Sequence, residues 1–309
     1  MLSLARGQHP VRVNVPEALL SQDLVQVELV YNKSSRRYHW HVTTDDGVVA
    51  KEAQGKRILA GDLGEIHPCA LSDGEETIVV CCRELRATKQ YTNKRLAELS
   101  ERQARCVKGS RNWWRLQERK NRFLAQQGTR VRDMENKISH EIVEVAQEKG
   151  AAQLVLGDVR DIADGKRLSA KSQQKISTWG HGKLRNYVKY KSEAQGIAFD
   201  DSICEKDTSK TCPNCGHQAK PRGRTYRCTN PACGLVAHRD GVGAVNILSR
   251  RLHGEVAKIK MPARIKYRYP ILSGKRSPSG TGEMAPNDSH RSPHENRSSQ
   301  SSQQEAAGL

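Results

Sequence analysis

Four cysteines stand at metal-ligand spacing. Cys212-Pro-Asn-Cys215-Gly is followed, twelve residues on, by Cys228-Thr-Asn-Pro-Ala-Cys233-Gly. Each pair closes a short loop, and the glycine after each pair lets the backbone turn back around an ion. Zn²⁺ favours four thiolates in a tetrahedron. A closed four-cysteine shell leaves no position for substrate, so such a zinc is a folding element and not a catalyst. The second loop has four intervening residues where two are commoner, still within structural zinc spacing. The competing reading is two reduced thiol pairs without metal. The other five cysteines, Cys69, Cys81, Cys82, Cys106 and Cys204, are scattered in apolar or amphipathic stretches and read mostly as buried free thiols. The odd total argues against a disulfide framework, which points to a reducing, cytoplasmic compartment.

Two carboxylates are candidates for chemistry of a different kind. Asp62 closes the apolar run Ile58-Leu59-Ala60-Gly61-Asp62-Leu63-Gly64, where a strand would present it at a sheet edge between glycines. Asp240 stands in His238-Arg239-Asp240-Gly241-Val242-Gly243-Ala244-Val245-Asn246-Ile247, at the start of a helical pattern. Taken singly, Asp62 reads as a turn residue and Asp240 as an N-cap. Two or three such carboxylates brought together would bind Mg²⁺ through oxygen and support two-metal hydrolysis of a phosphodiester.

The charge balance suggests the substrate class. The 309 residues carry 52 Lys+Arg against 34 Asp+Glu, a net charge of +18. A strongly basic chain suits a polyanionic partner, most often nucleic acid. The excess concentrates between residues 83 and 122, which hold Arg105, Arg111, Arg115 and Arg119 together with Tyr91, Trp113 and Trp114. Basic helices with interleaved aromatics can follow a phosphate backbone and stack on bases. A second basic group, Lys220, Arg222, Arg224 and Arg227, lies between the two cysteine pairs, where it reads as a phosphate contact or as a solvated hairpin tip. No stretch approaches the ~18 apolar residues of a membrane span, and the first residues lack a secretory signal, so secreted and membrane classes are disfavoured.

Hydrophobic periodicity indicates the elements that must position these groups. Residues 10–50 alternate as strands, with a turn at Asn32-Lys33-Ser34, and Lys56–Gly64 gives a further strand. Residues 69–82 read as a hairpin about Ser72-Asp73-Gly74. From about 84 to 149 there is no proline, and Ile138, Ile142, Val145 and Ala146 recur at helical spacing. Ala151–Val159 is a buried strand by pattern, 172–195 is helical, Gly196–Glu205 is a strand, and a helix runs from about 240 to 252. After Ser273 the chain is rich in Ser, Pro, Gly and Gln and nearly free of apolar residues, so a disordered tail is expected. The order of elements suggests an α/β core with insertions.

Asp62 in Gly-Asp-Leu-Gly, the strand Leu-Val-Leu-Gly-Asp-Val, the segment Thr208-Ser-Lys-Thr-Cys212, the second cysteine pair and the His238–Leu248 motif follow one another in a specific order. Over residues 10–252 the sequence closely resembles the TnpB family, encoded by insertion sequences and usually labelled transposases. The resemblance implies an α/β fold with an RNase H/RuvC-like nuclease core. It divides the chain into remnant β-barrel (wedge) strands over 1–52, the core over 53–205 with a helical insertion at about 84–149, and a zinc ribbon over 206–237. The last acidic motif and a basic C-terminal helix would cover 238–272, and the tail 273–309. Members commonly carry a further ~100 residues ahead of these strands, the size of a small domain, so the chain is expected to begin inside the barrel. The family consists of RNA-guided DNA endonucleases related to type V CRISPR effectors. The resemblance therefore implies a guide RNA and target DNA as partners, structural Zn²⁺, catalytic Mg²⁺ and three acidic ligands.

On that resemblance Asp62 matches the first acidic motif and Asp240 the third. The second usually places a Glu where this chain has Gly157, and glycine offers no ligand. Asp158 is adjacent, but a one-residue slip along a strand points its side chain to the opposite face. Glu205, just before the Thr208–Cys212 segment, is the favoured replacement, with Asp158 as a supporting or alternative acid. The competing readings are a nuclease-dead RNA-guided DNA-binding protein and a zinc-ribbon nucleic-acid binder from a decayed element.

Overall fold

A computed structural model describes residues 9, 14–19, 21–32, 37–45, 47, 49, 51–52, 55–160, 167, 169–220 and 223–270. The chain divides into two compact units. One comprises residues 1–56, 82–152 and 166–199, and the other 57–81, 153–165 and 200–309. The expected tail, residues 11–13 of the expected first strand (11–15) and residues 33–36 around the expected turn lie outside the described residues, and residues 14–15 are not in a strand.

The first unit contains a hairpin and a set of helices. Strands β1 (Asp23–Asn32) and β2 (Arg37–Asp45) pair antiparallel as a two-stranded sheet. Among the described residues the expected barrel strands amount to this hairpin. The proline-free segment folds as α1 (Arg83–Ala104) and α2 (Arg111–Glu148). They are separated at Gly109, which takes the left-handed φ of 84° that a β-carbon disfavours. Ser110 then caps α2, its hydroxyl accepting from the Trp113 N–H at 3.3 Å. Met134, Ile138, Ile142 and Val145 form one buried stripe of α2, which packs against α1 and against α4 (His181–Ala194). A buried ion pair supports this packing. Lys89 Nζ lies 2.9 Å from Glu135 Oε1 and donates to the Trp179 carbonyl at 2.6 Å.

The helical stretch over 172–195 proves to be two helices. α3 (Ala170–Trp179) ends at Gly180, whose φ of 73° terminates it before α4 begins. A β-carbon at Gly180 would stand 3.0 Å from Glu135 Oε1, so the break also admits the buried carboxylate.

The second unit is built on a six-stranded sheet in the order β10-β5-β4-β3-β6-β7. Its strands are β3 (Arg57–Leu63), β4 (Cys69–Ser72), β5 (Glu76–Val80), β6 (Ala151–Asp158), β7 (Ala198–Cys204) and β10 (Arg264–Arg268). β3, β4 and β5 form an antiparallel meander, whereas β10 lies parallel to β5, so the sheet is mixed. Helix α5 (Arg239–His253) packs on β3, β4 and β5. Ile247 and Leu248 join Ala60 and Val155 in one apolar cluster, and Ala244 joins Ala70 and Val79 in another. The helix expected from about 240 to 252 is α5. α5 stops at His253, where Gly254 takes a φ of 78°, and the basic run resumes as edge strand β10. Among the described residues no helix is long and apolar enough to cross a membrane.

A buried asparagine connects this unit to its cysteine-rich segment. Asn246 Nδ2 donates to the carbonyls of Thr208 and Thr211 at 2.7 and 2.8 Å, and its Oδ1 accepts from the Ala257 N–H at 3.0 Å. Fully satisfied buried amides of this kind fix geometry, because leaving any one group unbonded is costly. The short hairpin β8 (Thr225–Arg227) and β9 (Val236–His238) follows, and β9 leads directly into α5.

Candidate active site and metal centres

Asp62 lies near the end of β3, a central strand flanked by β4 and β6. Asp240 enters on the first turn of α5 and is buried, at 8% exposure. The two elements approach closely because of Gly243. A β-carbon there would lie 2.1 Å from Asp62 Oδ2. Glu205 follows β7, and its carboxylate reaches the neighbouring strand at Gly157. A β-carbon on Gly157 would stand 2.2 Å from Glu205 Oε1 and 2.4 Å from its Cγ.

The electrostatics of these acids are mutually unfavourable in the bare protein. The Asp62 carboxyl is pushed well above the usual range by burial first, then by the charges of Glu205 and Asp240, with Arg239 opposing. Glu205 is raised to about 7 by burial and by Asp158. Its Oε1 is buried without a hydrogen-bond partner. Partly buried carboxylates that repel one another and leave an oxygen unbonded are a donor set that suits a hard divalent cation. Asp62, Glu205 and Asp240 do not, as a set, approach within 4.8 Å of one another. Asp158 is engaged elsewhere: Arg160 grips it with Nε to Oδ1 at 2.8 Å and Nη2 to Oδ2 at 2.6 Å. Cys69 lies buried nearby, its thiol held well above the ordinary value by burial and by Asp62 and Glu205.

Around Asp240 the structure adds a partner. Arg224, a candidate nucleic-acid contact from the sequence, pairs with Asp240, Nη1 lying 3.1 and 3.3 Å from the two carboxylate oxygens. The β8–β9 hairpin folds back on the start of α5, and the Arg239 N–H donates to the Arg224 carbonyl at 2.9 Å. Two histidines that the sequence reading passed over complete the surroundings. His67, His238 and Asp240 place ligand-type atoms within 4.8 Å of one another. The one sequence signal was His238, two residues before the candidate acid. Burial holds the His238 imidazole below its ordinary value against the pull of Asp240.

Cys212, Cys215, Cys228 and Cys233 form a four-thiol cluster with all sulfurs within 4.8 Å of one another. Cys212 and Cys233 lie 3.7 Å apart, and Cys215 and Cys228 3.5 Å. Thiolates ~2.3 Å from one tetrahedral ion are separated by about 3.8 Å, so the cluster fits zinc. All nine cysteines are free of disulfides. The cluster is anchored to the sheet unit through Cys212, Tyr226, Ala237 and Val242, which pack as one core.

The helical unit carries the basic surface. Arg115 and Arg119 line a groove of about 870 Å³ on α1 and α2 with Arg102, Arg122 and Phe123. Arg111 is exposed nearby, and Arg105 pairs with Glu101 one turn away. Trp113 is half-buried, while Trp114 is 56% exposed, with the two rings edge to face. Lys220 and Arg227 are exposed on the cysteine-rich segment, and Arg222 lies outside the described residues.

A family model described as a probable transposase, OrfB_IS605, matches residues 27–163. A second, described as Cas12f1-like, TNB domain, matches residues 181–247. No curated protein matches the sequence. Among solved structures, a Cas12f1-sgRNA-target DNA complex is similar with a TM-score of 0.50 at 16% identity, covering 72% of this chain and 44% of that one. A CRISPR-Cas12f ternary complex gives a TM-score of 0.47 at 16% identity, covering 73% and 43%. The chain thus spans less than half the length of these two neighbours. At such identity the first likeness bears on fold alone: a mixed α/β unit like those of Cas12 effectors.

Proposed function

The chain belongs to the TnpB family, and from that premise we propose that its sheet unit is a RuvC-like, RNase H-type nuclease core that cuts DNA under the direction of a guide RNA. The observation that carries the catalytic part is the placement of Glu205. Its carboxylate fills the space beside Gly157, on the strand next to the one bearing Asp62, and it raises the Asp62 carboxyl through its charge.

In this reading Asp62, Glu205 and Asp240 hold Mg²⁺. When bound, that metal stabilises charge on the scissile phosphate and supplies a hydroxide nucleophile. Gly243 permits the close approach of α5, and Asn246 fixes α5 against the segment that enters the cysteine cluster. Asp158, gripped by Arg160, supports the end of β6 without joining the ligands. The cysteine cluster carries structural Zn²⁺ and holds the β8–β9 hairpin against α5. The groove of Arg102, Arg115, Arg119 and Arg122 takes phosphates of the guide RNA or the target DNA.

One observation favours the second reading, a nuclease-dead RNA-guided binder: Arg224 already neutralises Asp240. The test is to co-express the chain with candidate guide RNA from the flanks of its mobile element. DNA matching the guide should be cut in the presence of Mg²⁺, and a scrambled target should not. Guide-dependent binding without cutting would select the second reading, and the absence of any bound RNA would remove both.

A further inference from the structure

Beyond that function, we propose that His67, His238 and Asp240 form a second metal site that takes a borderline divalent cation of the zinc class. The three residues come from different elements: His67 from the bend between β3 and β4, His238 from the end of β9, and Asp240 from the first turn of α5. Their ligand-type atoms lie within 4.8 Å of one another, and His67 and Asp240 are only 6% and 8% exposed. His238 and Asp240 are two residues apart, whereas His67 is brought to them by the fold from a loop 171 residues earlier than His238.

A second observation points to a ligand. His238 Nδ1 is buried and has no hydrogen-bond partner. A buried polar nitrogen left unbonded costs free energy that a coordinated cation would recover. His67 is meanwhile oriented from behind, its Nδ1 lying 3.3 Å from Cys81 Sγ, and the two imidazole rings meet nearly edge to face with centroids 5.2 Å apart. An outer contact on a ligating histidine is the usual means of fixing its ring.

The donor set selects the metal. Mg²⁺ and Ca²⁺ take oxygen ligands, whereas imidazole suits zinc, copper, iron and nickel. Three protein ligands leave one position open, so this ion would be exchangeable, unlike one closed inside four thiolates. Arg224 sits 3.1 Å from Asp240 Oδ2 and would be repelled by an arriving dication, so loading should loosen that ion pair. If the nuclease reading holds, loading also removes Asp240 from the Mg²⁺ ligands, and zinc-class ions would inhibit cleavage.

The test uses Co²⁺ as a spectroscopic probe on the full chain with its cysteine cluster filled by zinc and with millimolar Mg²⁺ present. One Co²⁺ per chain should bind, giving visible d–d absorption without the thiolate charge-transfer band that cobalt in the cysteine cluster would show. His67→Gln and His238→Gln should each lose that cobalt while retaining the cluster zinc and the wild-type melting temperature. No cobalt bound by the wild-type chain, or cobalt retained by both variants, overturns the site. Because binding is read without RNA or DNA, the outcome is independent of whether the chain is a nuclease.

Discussion

The Glu205 carboxylate and the missing side chain of Gly157 share one place: a β-carbon on Gly157 would stand 2.2 Å from Glu205 Oε1. The two positions are therefore coupled, and a side chain can be housed from one or the other. Gly157→Ala should overpack the site and cost about 1–3 kcal/mol. Paired with Glu205→Gly the cost should largely disappear, since the space is then vacant. Thermal melting of the two single variants and the double variant checks this as a cycle. Strict additivity would show that the two residues do not compete.

The raised acids make stability depend on pH with a definite sign. Glu205 titrates near 7 in the folded chain against an ordinary 4.5, so between those values the folded state holds the extra proton. Stability is then lost as pH rises from about 4.5 to about 7, by at most about 3.5 kcal/mol from this group in the metal-free chain. Asp62, displaced in the same direction, adds to the trend. Mg²⁺ should raise the melting temperature more at pH 7.5 than at pH 5. An equal effect at both would separate the acids from metal binding.

Loss of the cysteine cluster should damage the sheet unit and not merely its own loops, because Cys212 and Tyr226 pack with Val242 of α5. Cys212→Ser is expected to remove one zinc per chain and lower the melting temperature by several degrees. Metal analysis alongside calorimetry checks both. Unchanged zinc content would mean that the thiols do not hold it.

The basic groove should behave as a phosphate track. Arg115→Ala with Arg119→Ala should weaken RNA binding for all sequences alike and make the salt dependence shallower by roughly 1.4 in log–log slope, at about 0.7 per lost single-strand contact. Sequence-selective loss, or an unchanged slope, would place the RNA elsewhere.

Much of this arrangement was legible in the sequence, for physical reasons that can be named. The cysteine spacing is local, so four ligands could be read directly. The stripe of Ile138, Ile142 and Val145 announced a helix because periodicity 3.6 is itself the structure. The break at Gly180 was hidden, since a single glycine within a helical pattern does not reveal whether its φ is positive. Residues 264–268 showed only as part of a basic stretch, yet they form an edge strand whose partner, β5, is nearly two hundred residues away. The pairing of Arg224 with Asp240 was hidden, because charge patterning carries no information about the carboxylate that the hairpin fold brings to an arginine. The pairing of His67 with His238 was equally invisible, as 171 residues separate them.

The central claim is that Glu205 supplies the acid that Gly157 cannot. Mg²⁺-dependent cleavage of a guide-matched DNA should be abolished in Glu205→Gln, with RNA binding retained, and only modestly reduced in Asp158→Asn. Cleavage surviving in Glu205→Gln but lost in Asp158→Asn would contradict the account.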